Sequence, residues 1–178
     1  MNEPLHLVSD SAPVERAALD RTGDFEELVQ AEHPRLYGAL WLITRDRGEA
    51  EDVTQEAFLR VWERWDRVRG MDDPAGYLYR TALNVYRQRI RRASVAMRRA
   101  VGLGARRDEF AEVETRDQVL RALGNLTQRQ RVSLVLVDLL GYSSEEAGHL
   151  MGIKAATVRV LASQGRAVLR RDMGENDE

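Results

Sequence analysis

Apolar side chains recur at helical spacing along most of this chain, and no stretch of any length alternates as a β-strand does. The clearest case is residues 49–66, where apolar residues lie three or four positions apart and so share one side of a helix. They are Ala50, Val53, Ala57, Phe58, Val61, Trp62 and Trp65. We therefore predict an all-α protein.

The helical pattern is lost over residues 93–113, which lack a clean period and hold two glycines. This segment is predicted to be a flexible linker between two small helical domains. The predicted units are a mobile N-terminal tail, a first helical domain, the linker, a second helical domain and an acidic tail, at residues 1–22, 23–92, 93–113, 114–171 and 172–178.

Local signals place the helix ends of the first domain. Asp24 is predicted to cap its first helix, with Glu27 completing a capping box. Gly48 is predicted to break the chain before the second helix. Asp73 followed by Pro74 is typical of a helix start and begins the third helix.

The composition excludes several classes of protein. None of the 178 residues is cysteine, which excludes disulfides, thiolate chemistry and cysteine zinc sites. The N-terminus has no signal-peptide pattern, and no apolar run approaches the roughly 20 residues of a membrane span. His6, His33 and His149 are scattered singly, and there is no glycine-rich phosphate loop. We expect a cytoplasmic protein without membrane insertion, catalytic residues, metal or cofactor, and not an enzyme.

Residues 77–92, YLYRTALNVYRQRIRR, combine three tyrosines with five arginines and contain no acid. Rings for stacking and cations for phosphates are what a single nucleic-acid strand requires. Leu78, Ala82 and Val85 are predicted to face the core. The alternative is that the tyrosines belong to the core or its rim, beside a solvated basic face. The candidate nucleic-acid contacts are Tyr77, Tyr79, Arg80, Asn84, Tyr86, Arg87 and Arg91.

The helix at 49–66 also carries a polar face. Its members lie three, four and seven residues apart, so they are neighbours on the helix surface. An acidic face that includes a leucine could dock a basic groove on a partner; the alternative is a charged face in solvent. The face consists of Asp52, Gln55, Glu56 and Leu59.

The second domain has the layout of a helix-turn-helix. Thr127 is predicted to cap one helix and Gly141 to end it. Ser143 or Ser144 is predicted to cap a short second helix, and Gly152 to form the turn before a last helix. In this motif the last helix enters the major groove of DNA. The alternative is a plain helical bundle with a basic face. The candidate DNA contacts are Lys154, Thr157, Arg159, Ser163 and Arg166, with Arg129 and Arg131 on phosphates.

Together these segments resemble the extracytoplasmic-function sigma factors of bacterial RNA polymerase. AEDVTQEAFLRVW (50–62) is similar to the region-two helix that binds the clamp helices of the polymerase large subunit. YLYRTALNVYRQRIRR is similar to the strand-opening and minus-ten-recognition helix. LTQRQRVSLVLVDLLGYSSEEAGHLMGIKAATVRV (126–160) is similar to region four, which reads the upstream promoter element.

The resemblance implies an alternative sigma factor that binds core RNA polymerase, directs it to promoter DNA and promotes strand opening. It assigns the 52–59 face to polymerase and makes loop 64–72 a pocket for a flipped minus-ten base. Arg80 and Asn84 match positions that touch the non-template strand. Such factors are commonly held by an anti-sigma protein, so the resemblance implies one as a partner.

The chain departs from the family pattern at several positions. Tyr77 stands where the family usually has Trp. In the last helix, Leu161 and Gln164 replace arginines and Gly165 lies mid-helix; Gly148 ends a Glu-Ala-Gly that replaces Glu-Ile-Ala. Two other functions therefore stay open at this point: a stand-alone helix-turn-helix regulator, and a sigma-like interaction protein that no longer reads promoters.

Overall fold

A computed structural model of the protein describes residues 12–99 and 116–174, and every regular element within these ranges is a helix. Each range contains four helices, and α6 continues into a π-helical turn. This confirms the prediction of an all-helical chain. The helices are α1 Ala12–Thr44, α2 Arg47–Trp62, α3 Trp65–Val68, α4 Pro74–Arg99, α5 Arg116–Gly124, α6 Gln128–Leu134 with the π turn Val135–Leu139, α7 Ser144–Met151 and α8 Ala155–Gly174.

Capping boxes begin two helices of the second block, residues 116–174. The hydroxyl of Thr127 accepts a hydrogen bond from the backbone N–H of Gln130, whose side chain accepts one in return. Ser143 and Glu146 form the same arrangement at the start of α7. The hydrogen bonds from Ser143 lower the pKa of Glu146. Both predicted caps are confirmed, because local hydrogen bonding alone suffices to place a helix start.

Other predicted boundaries are also confirmed. Asp73 Oδ1 accepts a hydrogen bond of 2.7 Å from the backbone N–H of Gly76 in the first turn of α4. Gly141 and Gly152 adopt φ values of +77° and +67°, a region that glycine reaches without strain. Gly141 follows the π turn, and Gly152 ends α7.

The predicted helix start at Asp24 is wrong, because α1 begins at Ala12 and Asp24 lies inside it. Contacts with residues distant in the sequence stabilise the part of α1 that precedes Asp24. The guanidinium of Arg21 lies 4.7 Å from the ring centroid of Trp62, and it forms a 3.3 Å ion pair with Asp66. A local pattern carries no information about such distant partners.

The predicted break at Gly48 is also wrong, because Gly48 belongs to the first turn of α2. The chain turns at Arg45, which has a left-handed φ of 62°. Asp46 then caps α2, with its Oδ1 accepting a 2.8 Å hydrogen bond from Glu49 N–H. A side-chain cap thus decided the boundary, and the glycine did not.

Three helix ends differ from the prediction. The helix expected over 49–66 ends at Trp62, and the single turn of α3 follows. Helix α4 continues to Arg99 and α8 to Gly174, beyond the predicted domain ends at 92 and 171. The remaining parts of the predicted tails and linker, at 1–11, 100–113 and 175–178, lie outside the described residues.

The first block, residues 12–99, packs α1, α2 and α4 around a common apolar core. Leu36, Leu40, Val53, Val61 and Leu78 are all essentially inaccessible to solvent. Full burial of an aliphatic side chain of this size contributes about 1.5–3 kcal/mol. This core fixes the outward faces of α2 and α4, which carry the candidate functional residues of this block.

The two blocks are in contact, which the sequence did not predict. Helix α4 packs on α7, and α1 packs on α6 and the π turn. Arg131 Nη1 donates a 2.9 Å hydrogen bond to the backbone carbonyl of Ile43. The rings of Tyr79 and Tyr142 meet edge to face, with centroids 5.7 Å apart. The linker is therefore not the only connection between the blocks.

Candidate functional site

The polar face of α2 lies at the surface. The side chain of Asp52 is 59% exposed, Gln55 is exposed, and Glu56 is half-buried. Leu59 is 58% exposed, although the other apolar residues of α2 mostly enter the core. A single exposed leucine is ordinary. Its place among carboxylates and an amide gives this side of α2 the mixed character of a docking surface, here called the docking face (Asp52, Gln55, Glu56, Leu59).

Ion pairs connect the docking face to α4. Arg89 binds Glu49 through two hydrogen bonds, of 2.7 Å from Nε and 2.8 Å from Nη2. The same Nη2 donates to Asp52 Oδ2 at 2.8 Å, and Nη1 lies 3.9 Å from Glu56 Oε2. These bonds, above all those to Glu49, raise the pKa of Arg89. On the other side, Arg60 pairs with Glu56 at 2.5 Å.

Part of the predicted nucleic-acid face of α4 is open to solvent. Arg80, Asn84 and Arg91 are exposed. Tyr77 is half-buried at the first turn of α4, and its hydroxyl accepts a 3.3 Å hydrogen bond from Arg64 Nη1. Leu78, Ala82 and Val85 are buried as predicted. The accessible part thus offers one ring, an amide and cations, here called the strand face (Tyr77, Arg80, Asn84, Arg91).

The prediction that Tyr79 and Tyr86 face outward is wrong for this structure, in which they are 3% and 7% exposed. The hydroxyl of Tyr79 donates a 3.1 Å hydrogen bond to Glu32 Oε2, and Tyr142 covers its ring. Burial, together with the charge of Glu32, raises the pKa of Tyr79. Helical spacing placed these rings near the outward side, but partners from distant segments, Glu32 and Tyr142, enclose Tyr79.

Arg87 lies where the two blocks meet. Its Nη1 donates to Asn84 Oδ1 at 3.1 Å, and its Nη2 donates to the backbone carbonyl of Leu150, in α7, at 3.2 Å. Burial lowers its pKa, and the charges of Arg129 and Arg80 lower it further. A cleft of about 370 Å³ opens beside it. In this arrangement the second block covers one of the predicted strand contacts.

The start of α8 presents the predicted recognition residues to solvent. Lys154, Thr157, Ser163 and Arg129 are exposed. Two other predicted contacts already bind carboxylates, Arg159 with Glu145 at 3.0 Å and Arg166 with Asp138 through two bonds of 2.9 Å. The bonds to Asp138 raise the pKa of Arg166. DNA phosphates would have to displace these acids.

Arg131 does not face the predicted DNA surface. Its two terminal nitrogens donate to backbone carbonyls, Nη1 to Ile43 and Nη2 to Leu126. The prediction that it holds a phosphate is therefore wrong for this structure, since its donors are used inside the protein. The sequence of α6 did not distinguish Arg131, which turns inward, from Arg129, which is exposed to solvent.

The two unusual glycines of the second block have packing roles. A Cβ on Gly165 would lie 2.6 Å from Leu134 Cδ1, so the glycine allows α8 to approach α6 closely. A Cβ on Gly148 would lie 2.8 Å from the backbone carbonyl of Ile153. These departures from the family pattern therefore support the close packing of the helix-turn-helix.

Sequence reasoning missed three residues that shape these surfaces: Arg64, Arg89 and Tyr142. Arg89 was visible only as one arginine among five, and its acidic partners lie 33 to 40 residues earlier. Tyr142 carried no signal, because its role depends on contact between the blocks.

Within the described ranges, no group of three His, Asp or Glu side chains could hold a metal ion. No helix described there is both long and apolar enough to cross a bilayer.

Comparison with known families decides the assignment. The model for Sigma-70 region 2 matches residues 28–95, and that for Sigma-70 region 4 matches residues 116–169. The ECF RNA polymerase sigma factor SigM of Mycobacterium tuberculosis is 30% identical over 151 residues, covering 84% of this chain and 77% of SigM. The chain belongs to the ECF sigma factors. This confirms the family predicted from the three motifs.

Two further relatives agree with this assignment. The ECF sigma factor SigE of Mycolicibacterium smegmatis is 29% identical over 179 residues, covering 89% of this chain and 67% of SigE. The sigma factor RpoE of Bartonella quintana, solved in complex with the anti-sigma factor NepR, matches with a TM-score of 0.73 at 19% identity. That match covers 86% of this chain and 98% of RpoE, and it supports the fold.

Proposed function

We propose that this ECF sigma factor binds core RNA polymerase through the docking face, directs it to promoters and captures one strand of the opened DNA. The observation that carries the proposal is that the docking face and the strand face lie on adjacent, directly bonded helices, α2 and α4. A chain built this way brings polymerase and promoter DNA together. It acts by binding, without catalysing a reaction, in the cytoplasm where both partners are found.

The docking face suits a basic groove on polymerase. Asp52 presents a largely exposed carboxylate, and Leu59 adds an apolar contact that gains from burial only when a partner covers it. Charge complementarity speeds encounter and fixes register, while the apolar contact slows dissociation.

The strand face suits unpaired DNA. Stacking a base on a ring is worth about 1–3 kcal/mol, which helps offset the few kcal/mol needed to open a base step. Tyr77 offers such a ring, Asn84 both a donor and an acceptor for a base edge, and Arg80 a cation for phosphate. The segment 64–72, which contains the single turn of α3 and whose Arg64 bonds Tyr77, is proposed to hold a flipped minus-ten base.

Full engagement of the strand is proposed to require movement of the second block. Arg87 and Tyr86, which are only partly accessible from the cleft beside them, are proposed to become fully accessible when the end of α7 moves away. In that opened state the second block is free to place Lys154, Thr157 and Arg159 in the major groove upstream. Phosphates would replace Glu145 and Asp138 as partners of Arg159 and Arg166.

An anti-sigma protein is proposed as a third partner. The structural relative RpoE was solved with the anti-sigma factor NepR. An inhibitor of this kind would act on the present chain by competing for the docking face or by holding the blocks together.

Run-off transcription tests the proposed function. Core polymerase is incubated with fragmented genomic DNA, with or without the chain, and the 5′ ends of the transcripts are sequenced. We expect discrete new start sites that need the chain and share an upstream sequence. Binding to core without any initiated transcript would contradict the proposal, as would specific duplex binding without core.

A further inference from the structure

The docking face does not stand alone, since one cation of α4 contacts two of its carboxylates. The Nη2 of Arg89 lies 2.8 Å from Asp52 Oδ2, and its Nη1 lies 3.9 Å from Glu56 Oε2. The side chain of Arg89 is only 31% exposed, so its position is restricted. We propose that Arg89 is a positioning residue, which holds Asp52 and Glu56 in the arrangement that core polymerase binds. This inference rests on the proposed role of the docking face.

Glu49 anchors Arg89 in this role. The two planar groups are joined by parallel hydrogen bonds of 2.7 and 2.8 Å, the geometry that fixes a guanidinium in direction as well as distance. Neither side chain of this pair is more than about a third exposed. Anchored by Glu49, Arg89 presents its remaining edge to Asp52 and Glu56.

The charges in the cluster favour positioning over competition with polymerase. Glu49, Asp52 and Glu56 carry three negative charges, and Arg60 and Arg89 carry two positive ones, so the cluster keeps a net charge of −1 for a basic partner. Asp52 is 59% exposed despite its bond to Arg89. Because a carboxylate has about four acceptor sites, Asp52 can bind Arg89 and a polymerase cation together.

Without Arg89, three like charges would lie on one side of α2 at positions i, i+3 and i+7. Their side chains would spread into solvent, and binding would have to order them again. The planar guanidinium group of Arg89 matters as well as its charge. A lysine ammonium cannot make the parallel bonds to Glu49 while also reaching Asp52. The proposal therefore predicts a graded response to substitution at this position.

The test measures core-polymerase affinity in the absence of DNA, so that phosphate contacts play no part. We expect Arg89→Gln to lower the affinity about threefold to tenfold, the range for an ordered but partly exposed ion pair. Arg89→Lys should recover part of the loss. Arg92→Gln, which removes the same charge from an exposed position on the same helix, should have no effect.

A double-mutant cycle separates positioning from a general structural role. If Arg89 acts through Asp52, the loss caused by Arg89→Gln should shrink in an Asp52→Asn background. Fully additive losses, or an unchanged or higher affinity in Arg89→Gln, would overturn the proposal. The proposed docking face itself fails if Asp52→Asn leaves core affinity unchanged. If Asp52→Asn weakens binding and Arg89→Gln does not, only the positioning role fails.

Discussion

The docking face on α2 and the whole predicted nucleic-acid surface of α4, which includes Tyr79, Tyr86 and Arg87, differ in how ready they are to bind. Asp52 and Leu59 are each more than half exposed in the described structure. On α4, by contrast, Tyr79 and Tyr86 are buried and Arg87 bonds the carbonyl of Leu150. One surface is open in the free chain, while the other is partly closed by the helix-turn-helix.

This difference suggests an order of events. We expect a chain whose proposed polymerase surface is open and whose proposed DNA surface is partly covered to bind polymerase before it captures a strand. We expect contact between the blocks to lower DNA binding by the free chain, because a binding-competent state that is only a fraction of the population reduces the apparent affinity. The predictions below test each side of this contrast.

The largest effect is expected at the open surface. Asp52→Arg should weaken core binding about 30-fold to 100-fold, or roughly 2–3 kcal/mol, because it places a cation against a basic groove and against Arg89. Fluorescence anisotropy of the labelled chain with core would measure it. Glu26→Arg makes the same charge change on exposed α1 and should bind normally. Equal losses in both variants would remove the special role of the docking face.

At the strand face, Asn84→Ala should reduce open-complex formation about tenfold and leave core binding unchanged. The amide is exposed and is proposed to bond a base edge, a contact worth about 1–3 kcal/mol. Permanganate reactivity of melted thymines, on a promoter found by run-off transcription, reports this step. Gln88→Ala serves as the control, since its amide faces Arg60 of α2. Unaltered reactivity in Asn84→Ala would exclude the role of Asn84.

Weakening the contact between the blocks should bring the accessibility of the α4 surface closer to that of the docking face. Tyr142→Ala removes the ring that covers Tyr79, a pair worth about 0.5–1.5 kcal/mol beyond its buried area. We expect the free chain to bind single-stranded DNA about threefold to tenfold more tightly. Tyr37→Ala removes a half-buried ring within the first block and serves as the control. If Tyr142→Ala binds single-stranded DNA no more tightly than the unsubstituted chain, the contact of the second block with α4 does not limit strand binding.

The last prediction concerns the stability of the covering element and does not measure binding. Gly148→Ala would place a Cβ 2.8 Å from the Ile153 carbonyl, and we expect it to destabilise the second block by about 1–2 kcal/mol. For a chain of this size, this corresponds to about 2–8 °C in the thermal midpoint. Gly38→Ala meets nothing within 4 Å and should stabilise by a few tenths of a kcal/mol. An unchanged thermal midpoint in Gly148→Ala would mean that the turn after α7 shifts to accept the added Cβ without a loss of stability.

Much of the first block could be predicted because its signals are local. The apolar stripe of α2, the start of α4 at Asp73 and the exposure of Asp52, Gln55 and Leu59 follow from periodicity and capping alone. Sequence motifs in the order of a known family also sufficed to predict that family. These inferences need no knowledge of how distant segments meet.

The errors share a physical origin, which is contact between distant segments. Tyr79 is buried because Glu32 and Tyr142 receive it, and Arg131 turns inward because the Ile43 carbonyl accepts its hydrogen bond. Helix α1 extends beyond Asp24, where Arg21 meets Trp62. Periodicity and capping motifs in the sequence do not reveal such contacts, since the two residues of each contact lie tens of positions apart.

The most direct test of this account is the distance between the two blocks as core polymerase is added. The chain has no cysteine, so Gln30→Cys and Arg170→Cys, on exposed positions of α1 and α8, allow a fluorophore to be attached to each block. We expect efficient energy transfer in the free chain and a clear fall when core binds. Transfer that stays high in complexes that initiate transcription would contradict the claim that the second block moves off Arg87 and Tyr86 on polymerase.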